Sequence, residues 1–94
     1  MKIKISPKAE KFLTKHEKSD KTNINLIKLF IEEELALAEN PCALKNASKI
    51  ESKKSKGNMW RWKLRKYRII GNVKSDEFVI EIIEIDRRDE KTYK

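Results

Sequence analysis

The chain has 94 residues, 38% apolar and 40% charged, with a formal net charge of +8. That length suits one domain near the small end of what a single core stabilises, so residues 1–94 are expected to form one unit. Cys42 is the lone cysteine, which excludes an internal disulfide, and no run approaches the roughly 20 apolar residues that span a bilayer. The basic balance favours a polyanionic partner, and the absence of a signal-like apolar start points to a reducing, cytoplasmic setting.

Lys2-Ile3-Lys4-Ile5-Ser6 alternates and predicts a short strand. Ser6-Pro7 then marks a helix start, with serine as N-cap and proline at the first helical position. Ala9, Phe12, Leu13 and His16 share one face of that helix. The cluster Ser19-Asp20-Lys21-Thr22 breaks the chain before a second helix. There Leu26, Ile27, Phe30, Ile31, Leu35 and Ala38 form an apolar stripe, and Glu32-Glu33-Glu34 lie on the solvated side. Asn40-Pro41 stops it.

From Pro41 to Asn58 no periodicity survives, which predicts a loop with a short turn near 43–50. Three strands follow, at about 60–66, 67–74 and 77–87, with Ser75-Asp76 as the turn between the last two. The order β-α-α-β-β-β predicts an α+β fold, with two N-terminal helices packed on one face of a small twisted antiparallel sheet.

The charge is unevenly placed. All five arginines, Arg61, Arg65, Arg68, Arg87 and Arg88, fall after residue 60, and Lys53 to Arg68 holds eight basic residues and no acidic one. Within it, Trp60-Arg61-Trp62-Lys63-Leu64-Arg65 alternates apolar with cationic side chains. On a strand, period two puts Trp60, Trp62 and Leu64 on one face and Arg61, Lys63 and Arg65 on the other. Such a row makes a rigid, phosphate-facing surface, with Lys53, Lys54, Lys56, Arg61 and Arg65 as candidate RNA-binding residues.

Other chemistries find little support. His16 is the sole histidine and sits on the apolar side of a helix, and Cys42 has no second histidine to activate it. No spacing suggests a metal site. Glu81 and Glu84 read most simply as structural ion-pair partners. Arginine, lysine and tyrosine remain, and these can act on a phosphodiester. Arginine grips non-bridging oxygens and offsets charge growing on phosphorus. A lysine crowded by cations becomes usable as a base, whereas arginine keeps its proton, which makes Lys63 the candidate base. RNA supplies its own nucleophile in the 2′-hydroxyl. Binding phosphate without chemistry needs no more than the same cations.

Trp60 to Ile70, the apolar run Phe78 to Ile85, then Asp86-Arg87-Arg88-Asp89 and a late Tyr93 resemble the RelE/ParE toxin superfamily over almost the whole chain, as does Ser6-Pro7-Lys8-Ala9-Glu10-Lys11-Phe12-Leu13 at its start. For the RelE-like branch the resemblance implies metal- and cofactor-independent cleavage of mRNA on the ribosome, through 2′-hydroxyl attack that leaves a 2′,3′-cyclic phosphate. It implies Lys63 as base, Arg68 stabilising the phosphate, Arg87 or Arg88 as the acid to the leaving oxygen, and Tyr93 stacking on a base. It also implies a cognate antitoxin, which would bring acidic and apolar residues to the basic surface. Asp86 stands where glycine or histidine is common, and Gly71 replaces a frequent aromatic or small residue. Two alternatives stay open: a ParE-like inhibitor of DNA gyrase, and a non-catalytic member that binds nucleic acid or only an antitoxin.

Overall fold

Capping and alternation build the first elements as expected. In the computed structural model, which describes residues 1–50 and 58–87, Lys2–Ile5 forms strand β1 and Pro7–His16 forms helix α1. Ser6 joins them. Its hydroxyl accepts from the Ala9 N–H at 3.1 Å, capping α1, and donates to the Ile83 carbonyl at 2.6 Å. One side chain thus starts the helix and ties it to a strand 77 residues further on.

Lys21–Leu29 forms α2, which runs on as a π-helical segment over Phe30–Leu35. There the Ala36 N–H reaches back five residues to the Ile31 carbonyl at 3.1 Å. Ile27, Phe30, Ile31 and Leu35 of the predicted stripe are buried and Ile24 joins them, while Leu26 and Ala38 are half-buried. Glu32, Glu33 and Glu34 are exposed, as a solvated face requires.

The stretch expected to be a loop contains more structure than its sequence announces. Pro41–Ala43 is a 3₁₀ turn and Ala47–Lys49 a short strand, β2. Polar Ser48 and Lys49 give no apolar alternation; pairing with the next strand creates the element. Met59–Leu64 is β3, Tyr67–Lys74 is β4 and Val79–Arg87 is β5, with a 3₁₀ turn at Ser75–Glu77. Arg65-Lys66 closes the hairpin between β3 and β4, with Arg65 left-handed at φ 56°.

The sheet order is β1-β5-β4-β3-β2. The three pairings β2–β3, β3–β4 and β4–β5 are antiparallel, but β1 runs parallel to β5, with Lys2 opposite Val79 and Ile5 opposite Ile82. The sheet is therefore mixed where an antiparallel one was expected: the crossover through α1 and α2 returns the chain to the far edge, and such a connection makes parallel pairing possible.

Both helices cover one face. Ala9, Leu13, Ile24, Ile27, Phe30, Ile31 and Leu35 pack against Trp62, Tyr67, Ile69, Val73, Ile80, Ile82 and Ile85. Gly71 lies where the β4–β5 register shifts. A Cβ there would stand 3.2 Å from both the Glu81 carbonyl oxygen and the Trp62 ring, tighter than ordinary contact, so the large indole favours a residue without a side chain. Among the described residues no helix is long and apolar enough to cross a membrane.

Candidate nucleic-acid interface

Residues directly opposite each other on paired strands share a face, with Cβ atoms about 5 Å apart. Trp62 and Tyr67 point into the helix-covered core, so their neighbours in sequence, Lys63 and Arg68, belong to the other face. Lys63 lies opposite Arg68, and Arg68 opposite Asp86. One step along, Arg61 lies opposite Ile70, which pairs with Glu84. The structure thus brings Arg61, Lys63 and Arg68 together on the face away from the helices.

Behind that row the tryptophans are inside. Trp62 is fully buried and donates its indole N–H to the Pro41 carbonyl at 3.0 Å; half-buried Trp60 donates to Asn58 Oδ1 at 2.7 Å. They stiffen the strand and offer little apolar surface to a partner.

Arg68 does not wait with its charge unmatched. Its Nε donates to Asp86 Oδ1 at 2.9 Å and a terminal nitrogen donates to Asp86 Oδ2 at 3.2 Å. This side-on grip uses both carboxylate oxygens. Asp86 is the chain neighbour of Arg87, but alternation turns it toward Arg68. Neither Arg61 nor Lys63 joins a salt bridge among the described residues. Arg61 Nε is buried there with no hydrogen-bond partner among them.

Arg87 lies opposite Tyr67, hence on the helix side, away from Lys63 and Arg68. Its neighbours form a second polar group. Tyr67 donates its hydroxyl to Asp20 Oδ2 at 2.5 Å, and Asn23 Nδ2 donates to both Asp20 oxygens. Burial first, then the Asp20 hydrogen bond, pushes the Tyr67 phenol up to about 12, while Arg87 pulls the other way. The Tyr67 bond, then that from Asn23, holds the Asp20 carboxyl below its ordinary value. Phe12 meets Tyr67 edge-on with ring centroids 5.8 Å apart, and His16 leans on Phe12 at 4.4 Å. The sole histidine is an aromatic packing partner.

Arg65 occupies the hairpin turn, outside the strand alternation that would have aligned it with Arg61 and Lys63. Lys53, Lys54, Lys56, Arg88 and Tyr93 lie outside the described residues. Glu81 pairs with Lys74 at 3.6 Å and Glu84 with Lys8 at 2.8 Å, the structural roles expected of them. Burial raises the Cys42 thiol, which suits it poorly to attack as a thiolate. The residues that sequence reasoning missed are Asp20 and the Asp86–Arg68 link; a count of alternate strand positions separates Asp86 from Arg87, but the register that seats it against Arg68 is tertiary information.

Comparison with known proteins agrees with this architecture. The family described as "ParE toxin of type II toxin-antitoxin system, parDE" matches residues 3–92. No curated protein matches. Among solved structures, the toxin–antitoxin complex RelBE2 from Mycobacterium tuberculosis aligns with a TM-score of 0.70 at 14% identity, over 93% of this chain and 96% of that one. The archaeal RelE–RelB complex from Pyrococcus horikoshii OT3 aligns at 0.63 and 22% identity, over 95% and 96%. The YoeB/ParE toxin from Agrobacterium tumefaciens aligns at 0.70 and 15% identity, over 93% and 98%. At these identities the likeness is one of fold.

Proposed function

The chain belongs to the ParE toxin family of type II toxin–antitoxin systems, within the RelE/ParE superfamily, and from that premise we propose that it is a ribosome-dependent mRNA endonuclease working without a metal. The observation that carries this reading is Lys63 directly opposite Arg68, with Arg61 two residues away on the same face. A phosphodiester laid across that face meets a candidate base and two guanidinium groups. The 2′-oxygen attacks the adjacent phosphorus and gives its proton to Lys63. The P–O5′ bond breaks, the 5′-oxygen takes up a proton, and a 2′,3′-cyclic phosphate remains. Arg61 and Arg68 balance the charge that grows on the non-bridging oxygens. Arg87 sits on the helix side, so this proposal assigns Arg88 to the leaving 5′-oxygen, where its charge eases departure, and Tyr93 to stacking on a base.

A cognate antitoxin is the proposed resting partner. The matched proteins from Mycobacterium tuberculosis and Pyrococcus horikoshii are themselves toxin–antitoxin complexes, which supports it.

Translation of a defined message with the purified protein, followed by mapping of the new RNA ends, tests the reading. Cleavage within translated codons is expected, with loss of about a hundredfold or more when Lys63→Ala and Arg68→Ala are combined, since each group of this kind contributes one or more decades to rate. Cleavage that survives both substitutions places the site elsewhere.

One observation favours a second reading. Asp86 already engages Arg68, and Arg87 faces the helices, which thins the cationic set on the proposed face. A toxin that instead binds and inhibits DNA gyrase needs no phosphate-cleaving row. Inhibition of supercoiling with message left intact would select it.

A further inference from the structure

A carboxylate beside the proposed phosphate-gripping arginine needs an explanation of its own. Partly exposed ion pairs contribute little to stability, and the side chains of Arg68 and Asp86 are 28% and 30% exposed. The β4–β5 ladder and the apolar core already hold those two strands together. The other carboxylates of β5 behave differently: Glu81 and Glu84 turn to lysines outside the row. Asp86 alone among them is seated on a residue of the proposed site. The seating is the two-point hold that a phosphate would use, one oxygen on Nε and a second on a terminal nitrogen.

We infer that Asp86 is a built-in competitor for phosphate at Arg68: its carboxylate occupies the Nε edge of the guanidinium, and an RNA phosphate must displace it to be gripped there. This inference rests on the reading of the Arg61–Lys63–Arg68 face as a phosphate surface. It deepens that reading by assigning a regulator to the site. A lone phosphate gains little by displacing Asp86. A phosphate that also meets Lys63, directly opposite on β3, and Arg61 one step along gains enough to do so. The competitor therefore discriminates against loosely bound polyanions in favour of a strand laid along the row.

The test is binding of a fully 2′-O-methylated RNA oligonucleotide, which lacks the attacking hydroxyl and so reports affinity apart from cleavage. Compared are the wild type, Asp86→Asn, Asp86→Ser, Arg68→Ala, the Asp86→Asn/Arg68→Ala double variant, and Glu84→Gln as a control for loss of one acidic charge on the same strand. Thermal melts confirm folding, and Asp86→Ser reads the effect through a smaller side chain should the asparagine make a new bond to Arg68.

Asp86→Asn and Asp86→Ser are expected to tighten binding about two- to fivefold, the range set by a partly exposed ion pair. The gain should vanish in the Arg68→Ala background and exceed that of Glu84→Gln. Unchanged or weaker binding in both Asp86 variants would overturn the inference and make Asp86 an orienting residue for Arg68. Tightening that persists without Arg68, or that Glu84→Gln matches, would overturn it as well. Cleavage is scored separately: an Arg68-dependent gain beside intact message leaves the competitor standing and removes the nuclease, whereas cleavage with no Asp86 effect removes the competitor alone.

Discussion

Tyr67 is 2% exposed and donates a hydrogen bond from its hydroxyl to a carboxylate, so its charged form is disfavoured twice. Its phenol rises from 10.0 to about 12, through burial first and the Asp20 bond second. Below pH 10 the folded and unfolded chains both hold the proton. Between pH 10 and about 12 only the folded chain does, so stability falls as pH rises through that window. Asp20 acts oppositely: with its carboxyl held low, its contribution is present above the unfolded value and fades as pH falls through the folded one. Tyr67→Phe should lower the melting temperature at neutral pH and flatten its decline between pH 10 and 12 relative to the wild type. Parallel curves for the two proteins across that window would refute the assignment. Little of this was legible in the sequence. Asp20 reads as a helix-breaking residue, and its distance of 47 residues from Tyr67 hides the bond.

Among the elements, α1 announces itself most fully, because Ser6 and Pro7 specify its start locally. The second bond of Ser6, to Ile83, is the part that only tertiary structure reveals. Ser6→Ala removes a cap and leaves a carbonyl short of a donor, which should cost about 1–2 kcal/mol in urea denaturation. A loss below a few tenths would mean that water replaces both bonds. The turn before β5 tells the opposite story. Phe78 is left-handed at φ 54° and 71% exposed, so it combines a strained backbone with little burial. Phe78→Gly should leave stability unchanged or raise it by up to about 1 kcal/mol, the relief of the strain being set against the greater freedom of glycine in the unfolded chain. A clear destabilisation would reveal contacts of the ring that outweigh its backbone cost. Alternation placed β3, β4 and β5 within a few residues, since period two is a local property. It did not place β2, whose polar residues become a strand by pairing, nor the register shift at Gly71, which decides what faces Arg68.

For the whole molecule, the surplus of eight positive charges is long-range and sequence-independent, and salt should expose it. RNA affinity should fall linearly on a log–log plot of salt, and Arg61→Ala should flatten the slope by about 0.7 for one lost contact to a single strand. An unchanged slope would take Arg61 off the phosphate path. The cationic clustering, the two-helix cover and the core face were all legible in the sequence, because composition and periodicity encode them. The splitting of Arg87 from Lys63 and Arg68 was not, because it depends on the register between β4 and β5.

The parallel pairing of β1 with β5 sets a timetable. A ribosome makes Lys2–Ile5 long before it makes Val79 to Ile82, the only partners that this strand has in the described sheet. Closing so long a segment comes late and slowly in folding. Until then the nascent strand is an unsatisfied ribbon of backbone donors and acceptors, and Lys2 and Lys4 are the charges that keep it from zipping onto a neighbouring chain.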